Sequence, residues 1–183
     1  MADIVVKGQR ELYELLQTLP VKLERNIVRG ALRAGARPIK DAAVARCPVG
    51  LPSSEGRKLY GLHEGSLRDS IRISTRVKGA TVSASVKAGG KTRAGGDVWY
   101  AHLIEFTGAT AHTITAKGRK ILSFGGLFFQ SVKHPGMRAR PFMRPALESQ
   151  AQAAVVAAAE YMKQRLATRE GLDTAHIMIE GDE

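Results

Sequence analysis

Apolar side chains recur every three or four positions through the first quarter of the chain, a spacing typical of amphipathic helices. Residues 8–19 place four leucines on one face, and Pro20 begins a longer stretch of the same kind that runs to Cys47-Pro48. Pro38 lies inside this second stretch and should kink it. The helical spacing returns from Pro145 to about Arg169, where it predicts a long final helix with one continuous apolar face.

Between these helices the apolar spacing changes to two, the period of a half-buried strand. Residues 70–77 and 80–87 alternate in this way and predict a hairpin that turns at Lys78-Gly79. Three more strands are predicted at 98–106, 113–124 and 127–133. The sequence therefore predicts an α+β fold, in which N-terminal helices and a long C-terminal helix pack on an antiparallel sheet of four to five strands.

Two segments without regular spacing separate these elements. Residues 48–66 are rich in Gly, Pro and Ser, and residues 88–97 contain four glycines, so both are predicted to be long loops. Residues 170–183 carry five acidic side chains and no basic one, which is typical of an extension that becomes ordered only against a partner. We therefore expect one domain over residues 1–169, followed by an acidic extension at 170–183.

Charge narrows the choice of partners. The chain has 28 Lys and Arg against 17 Asp and Glu, a net charge of +11, but residues 146–183 carry seven acidic and only three basic side chains. This asymmetry favours either head-to-tail contacts between copies or an acidic partner. Candidate contacts to DNA or to an acidic partner form a stripe on the second helix at Arg25, Arg29, Arg33 and Arg37. The alternative is that these arginines form its solvated face.

Catalytic chemistry has little support in the sequence. Cys47, the only cysteine, cannot form an internal disulfide, and the phosphate-loop and nucleophile-elbow motifs are absent. A metal-dependent hydrolase would have to use His102, His112 and His134, which lack the usual ligand spacing. No apolar run approaches the ~20 residues of a membrane span. We therefore expect neither an enzyme nor a bound cofactor nor a membrane partner, and a basic nucleic-acid-binding module is the main alternative to a structural protein.

Six short motifs in series resemble one known family, the head–tail joining or neck proteins of long-tailed bacteriophages, also described as tail-completion proteins. The resemblance covers roughly residues 8–168, although Cys47 replaces an alanine, residues 50–64 are inserted and Thr107-Gly108 inverts the usual Gly-Thr. The motifs are Cys47-Pro48-Val49, Gly65 to Ile71, Tyr100 to Phe106, Lys120 to Phe124, His134-Pro135-Gly136 and Pro141 to Leu147.

The resemblance implies a structural virion protein that joins or completes the head–tail connection and has a tail-terminator-like fold. Related terminator proteins form rings of six, so a hexameric ring of this chain is expected. Its partners would be the head connector or stopper and the tail terminator or tail tube, with genomic DNA passing transiently through the ring. The expected location is the virion neck or tail, after assembly in the host bacterial cytoplasm.

A short arm before the final helix supplies two of the five candidate interface residues. Pro141 and Pro145 hold the intervening residues extended, and Phe, Met and Arg are frequent anchors of protein interfaces. For Glu105, the alternative is an ion pair within one subunit. The candidate interface residues are Glu105, Arg138, Arg140, Phe142 and Arg144.

Overall fold

The fold was analysed in a computed structural model. The structure describes residues 9–17, 21–50, 54–79, 81–107, 110–116, 121–124, 127–136 and 138–170. The chain divides into two compact units, which are treated separately: unit 1 contains residues 1–98 and 142–183, and unit 2 contains residues 99–141. The expected acidic extension at 170–183 lies, apart from Glu170, outside the described residues.

Unit 1 is built on its helices. α1 spans Gln9–Gln17, α2 spans Val21–Arg46 and α5 spans Met143–Glu170, which confirms the three predicted helices. The prediction of an extended arm between Pro141 and Pro145 was wrong in part, because α5 begins at Met143 and includes Arg144. Pro145 lies in the first turn of the helix, where its missing N–H is tolerated. α2 continues through Pro38 as a single helix. The most extensive packing in the chain is between α2 and α5. The fold class is therefore α+β, as predicted, but the long final helix packs chiefly on α2 rather than on a sheet.

Leucines of α1 close one end of this helical core. Leu12 and Leu16 form a buried cluster with Ile27 of α2 and with Ala159 and Leu166 of α5. Leu166 is completely buried. Because leucines four positions apart on α1 meet residues of both long helices, the short helix is held by tertiary packing, which a nine-residue helix needs in water.

Small residues set the distance between α2 and α5. A Cβ added to Gly35 would lie 2.5 Å from the carbonyl oxygen of Ala154 and 3.1 Å from the Cβ of Ala158. At Gly30, the space that a side chain would occupy is filled by the ring of Tyr161. The two helices therefore approach at a point where α2 has no side chain, and α5 turns its alanines toward that point.

A β-hairpin lies against the same long helix. β1 (Arg72–Lys78) pairs antiparallel with β2 (Thr81–Lys87), in register from Arg72 opposite Lys87 to Lys78 opposite Thr81. Both strands contact α2. The predicted hairpin is confirmed, with its turn at Gly79, which has a φ of 59°.

The two predicted long loops contain regular structure. Residues 48–66 include α3 (Ser54–Tyr60) and the first residue of α4 (Ser66–Asp69). Residues 88–97 include β3 (Gly90–Lys91), which pairs with β4 (Asp97–Val98). The loop predictions were therefore wrong in these parts, because helices and strands of so few residues leave no periodic signal in a sequence.

Unit 2 begins with a helical turn where a strand was predicted. Residues 98–106 were expected to be extended, but beyond Val98 the chain turns into a π-helical segment at Leu103–Thr107. Ala101 and Glu105 are buried whereas His102 and Phe106 are exposed, a spacing of four residues that belongs to a helix. The strand prediction was wrong because a short apolar run fits both kinds of structure.

The rest of unit 2 is a second hairpin. β5 (His112–Thr115) pairs antiparallel with β8 (Ser131–His134), and β6 (Leu122–Phe124) pairs with β7 (Leu127–Phe129). We call these four strands the unit 2 hairpin. Among the described residues the strands form four separate two-stranded ladders rather than the predicted single sheet of four to five strands.

Candidate interaction surfaces

The motif from Gly65 to Ile71 forms a tight turn that the structure fixes in detail. Gly65 has a φ of 79°, a left-handed conformation that disfavours other residues, and it begins α4. The buried hydroxyl of Ser70 donates to the carbonyl of Leu67 at 2.6 Å and accepts from the amide of Gly89 at 2.8 Å. The turn is thereby joined to the end of β2.

A second hydrogen-bonded group lies at the start of the same motif. Ser66 Oγ lies 3.0 Å from His63 Nδ1, and His63 Nε2 lies 2.9 Å from Asp69 Oδ2. Ser66 Oγ also accepts from the main-chain amide of His63 at 2.7 Å. The sequence analysis missed this group, although a histidine three residues before the motif serine was visible in the sequence.

Serine, histidine and aspartate are also the residue types of a hydrolase triad, but this arrangement is not suited to that chemistry. Ser66 is only 1% exposed, and its hydroxyl lies 2.8 Å from the carbonyl oxygen of His63. A nucleophilic hydroxyl must be open to a substrate carbonyl. The group instead fastens the turn between α3 and α4.

Cys47 packs close to this turn and is also shielded from solvent. The residue is buried, its thiol lies 3.7 Å from the carbonyl oxygen of Pro48, and burial raises the pKa of the thiol to about 11. A reactive cysteine needs a lowered pKa and access to solvent. Cys47 is therefore a packing residue at the end of α2.

The predicted arginine stripe on α2 faces outward. Arg29, Arg33 and Arg37 are exposed, whereas Arg25 is half-buried. Arg29 Nη2 donates to Asn26 Oδ1 at 3.3 Å. Successive members of the exposed set are about 6 Å apart along the helix axis, because each residue adds about 1.5 Å. The three exposed guanidinium groups are therefore available to one extended acidic partner.

The candidate interface residues fall into two groups. Arg138, Arg140 and Arg144 are exposed, and the amide of Arg140 donates to the carbonyl of Ile104 at 2.8 Å within unit 2. Phe142 is only 1% exposed and Glu105 is 8% exposed, so both side chains are buried within the chain. The interface hypothesis therefore rests on the arginines, and Phe142 is a core residue of unit 1.

Two of the three histidines considered as metal ligands come together in unit 2. His112 and His134 lie opposite each other on β5 and β8, with ring centroids 5.1 Å apart. His102 Nδ1 lies 3.0 Å from the carbonyl oxygen of Trp99. Within the part of the chain that the structure describes, no three His, Cys, Asp or Glu side chains form a group that could hold a metal ion.

The unit 2 hairpin carries the largest group of exposed apolar side chains in that unit, which the sequence analysis did not identify as a surface. Phe128 is 73% exposed, Leu127 is 64% exposed and Ile121 is 60% exposed. Ile114, Phe129 and Val132 are also exposed. Exposed apolar side chains grouped on one element are typical of interaction sites in folded proteins. The Leu-Phe-Phe run after Gly125-Gly126 was the signal available in the sequence.

No helix among the described residues has the length and apolar composition needed to cross a membrane.

The comparisons with known proteins identify the family. Neither the curated proteins nor the solved structures contain a significant match to the chain. Residues 10–106 match the family described as "Bacteriophage HK97-gp10, putative tail-component". The match covers more than half of the chain, including α2, the turn from Gly65 to Ile71 and both strands of the unit 1 hairpin. The chain therefore belongs to the HK97-gp10 family of structural bacteriophage tail components.

Proposed function

We propose that this protein joins or completes the connection between phage head and tail by forming a ring between the head connector and the tail tube. The family membership over residues 10–106 is the observation that carries the proposal. A ring of identical copies needs heterologous contacts, in which one surface of each copy meets a different surface of the next. The chain before position 146 is basic and the chain after it is acidic, so two segments of each copy have opposite net charge.

Exposed groups on both units suit such contacts. The unit 2 hairpin supplies apolar surface, and Arg138 and Arg140 add positive charge in the same unit. Apolar anchors surrounded by charged residues are the usual anatomy of a protein interface. The proposed partners are further copies of this chain in a six-membered ring, the head connector or stopper, and the tail terminator or tail tube. Assembly would take place in the bacterial cytoplasm before incorporation into the virion.

Deleting the gene from the phage or prophage genome that carries it tests the joining role. Electron microscopy of the resulting particles should show DNA-filled heads and separate, unattached tails. Normally joined, infectious particles in the absence of the gene would refute the proposal. Supplying the wild-type gene in trans should restore joining.

The same complementation assay tests the exposed arginines. The double variant Arg138→Gln, Arg140→Gln should restore fewer joined particles than the wild-type gene, because it removes charge from the proposed contact without disturbing the core. Lys78→Gln, which changes an exposed residue at the turn of the unit 1 hairpin, is the matched control. Full complementation by the double variant would remove these arginines from the interface.

Nucleic-acid binding is the second candidate function, favoured by the exposed stripe on α2 and by the net charge of +11. Within a neck ring, such a surface would face DNA in transit and attract it weakly, without reading sequence. Tight binding by the isolated chain would instead favour a dedicated nucleic-acid-binding module. The affinity of the chain for DNA, and the dependence of that affinity on Arg29, Arg33 and Arg37, distinguish a neck ring from a dedicated nucleic-acid-binding module.

A further inference from the structure

The faces of the unit 2 hairpin differ in polarity at its outer end. In an antiparallel pair, residues directly opposite each other lie on the same face, and the faces alternate along the strand. Ile114 therefore shares a face with its partner Val132, whereas Thr113 and its partner Lys133 lie on the other face. Ile114 is 40% exposed and Val132 is 38% exposed, so both side chains of this apolar pair are open to solvent among the described residues.

The edges of this hairpin are open as well. Each of its two ladders contains only two strands among the described residues, so each strand has one side without a strand partner there. Two-stranded hairpins are marginally stable in water, and a third strand or a packed surface usually stabilises them. Main-chain groups at a free strand edge are a template for an added strand. The hairpin therefore has both the edge and the apolar face that a third strand requires.

Residues 171–183 have the sequence pattern of that strand. They read GLDTAHIMIEGDE, in which Ile177 and Ile179 would share one face of a strand, with Met178 and Glu180 on the other. These residues lie outside the described part of the structure. Isoleucine is among the residues most favoured in strands. A short strand with two isoleucines on one face matches the apolar face that Ile114 and Val132 form on the hairpin.

Charge points to the same pairing. Unit 2 carries six basic side chains and one acidic side chain, whereas residues 171–183 carry four acidic side chains and no basic one. Lys133, Arg138 and Arg140 are exposed in unit 2. Opposite charges on two surfaces steer their association and fix which surfaces meet.

We propose that residues 171–183 of one copy add to the unit 2 hairpin of a second copy as a third strand, with Ile177 and Ile179 on its apolar face. The inference rests on the proposed ring assembly, which brings a second copy within reach. The contact is heterologous, because the segment of each copy occupies the hairpin of the next, and such contacts close into rings. In this contact, the acidic segment and the apolar hairpin are the two sides of one interface between neighbouring copies.

Peptide binding tests the contact directly. A fluorescent peptide of residues 171–183 is titrated onto full-length chain carrying Ile177→Asp and Ile179→Asp, whose own segment is thereby disabled. Saturable binding that weakens with added salt is expected, because exposed charges are screened. Lys133→Glu or Phe128→Ser in the full-length chain should weaken binding about tenfold or more. Lys87→Glu, at an exposed strand position in unit 1, is the matched control and should leave binding unchanged.

The peptide itself offers a second control. Met178→Asp adds the same charge as Ile177→Asp but on the opposite face of the strand, so it should weaken binding much less. Absence of binding overturns the inference. Binding that is insensitive to the hairpin substitutions, or equal losses for the two peptide substitutions, also overturns it.

Mixing two variants distinguishes a second copy from the same chain. One variant carries Ile177→Asp and Ile179→Asp and has an intact hairpin, and the other carries Lys133→Glu and Phe128→Ser and has an intact segment. Light scattering of the mixture should show association that neither variant shows alone, because only the mixture can form one contact. Monomers in the mixture, together with peptide binding to the hairpin, would mean that the segment folds back on its own chain, and the inference would be wrong.

The proposed function can fail separately from this contact. If full-length chain forms rings and the Ile177→Asp, Ile179→Asp variant forms them equally well, ring assembly holds and the strand contact is refuted. If head–tail joining is unaffected by deletion of the gene while the mixed variants still associate, the contact holds and the joining role is refuted.

Discussion

Cys47 shows how one buried side chain links sequence, packing and a measurable property. It lies at the end of α2, and burial raises the pKa of its thiol from 9.0 to about 11. The folded state therefore holds the proton more tightly than the unfolded state. The stabilisation linked to this thiol is complete below pH 9 and is lost as the pH rises through 11.

Replacing Cys47 by alanine should remove that part of the pH dependence. The free energy of unfolding of the wild-type protein should fall more steeply between pH 9 and pH 11 than that of Cys47→Ala, because the variant has no thiol to ionise. Urea unfolding at both pH values measures the difference. Equal losses in the two proteins would contradict the burial argument.

Gly35 tests the close approach of α2 and α5. Gly35→Ala raises helix propensity by about 1 kcal/mol, yet the new Cβ would lie 2.5 Å from the carbonyl oxygen of Ala154. Overpacking of this kind usually costs about 1–3 kcal/mol, so a net loss of stability is expected. Thermal unfolding measures whether Gly35→Ala lowers or raises the stability of the protein.

Gly50→Ala is the control for this substitution, since nothing lies within 4 Å of the position of its added Cβ. It should leave the melting temperature almost unchanged. A Gly35→Ala variant that is as stable as wild type, or more stable, would mean that the helices separate freely at this point.

The orientation of α5 could not be obtained from the positions of its large apolar residues. The continuous apolar face predicted for this helix includes Leu147 and Val155 by their helical spacing. In the structure Leu147 is 52% exposed and Val155 is 39% exposed, whereas Ala146 and Ala159 are buried. Small side chains face α2 because the helices approach at Gly35. A pattern that ranks residues by hydrophobicity does not predict that small side chains face α2, because close packing of two helices depends on side-chain volume.

At the scale of single elements, the long helices and the first hairpin were predictable and the short elements were not. The unit 1 hairpin has a regular period of two over seven residues in each strand, which determines its register. The segment after Val98 is apolar on several sides, and its helical turn is visible only in the structure, in the burial of Ala101 and Glu105 and in the hydrogen bond from the amide of Leu103 to the carbonyl of Tyr100 at 3.0 Å. Elements were predictable from the sequence only where the pattern of apolar residues was long enough to repeat.

Ser70 joins two of these elements and can be tested alone. Ser70→Ala removes the acceptor of the Gly89 amide and leaves that buried donor without this partner. Such a loss usually costs about 1–3 kcal/mol of stability. Chemical denaturation should show a lower unfolding midpoint for Ser70→Ala than for Ser83→Ala, which truncates an exposed serine on β2. Matching midpoints would show that the hydrogen bond contributes little.

At the scale of the whole molecule, charge is the property most readily obtained from sequence and most closely tied to the proposed function. The net charge of +11 and the acidic segment follow directly from residue counts, whereas the exposure of Arg29, Arg33 and Arg37 required the structure. The apolar unit 2 hairpin could not be assigned as a surface from sequence. Its Leu-Phe-Phe run is equally typical of a buried strand, and only the exposure of these side chains distinguishes a surface from a core.

DNA binding by the arginine stripe should be weak and steeply dependent on salt. Fluorescence anisotropy with duplex DNA should show an affinity that falls by about 40-fold between 50 and 200 mM salt if the three exposed arginines contact three phosphates. Arg29→Gln, Arg33→Gln and Arg37→Gln together should reduce the salt slope, whereas Arg57→Gln with Lys58→Gln on α3 should affect it less. Effects in proportion to the number of charges removed, three against two, would mean that net charge alone determines binding.

Ring formation is the central claim, and the mass of the assembled protein tests it most directly. Light scattering of the purified chain, alone and with its head-connector and tail-tube partners, should give a particle containing about six copies of the 19.7 kDa chain. Negative-stain images of the same fraction should show closed rings. A single copy under every condition, including in the presence of both partners, would contradict the account.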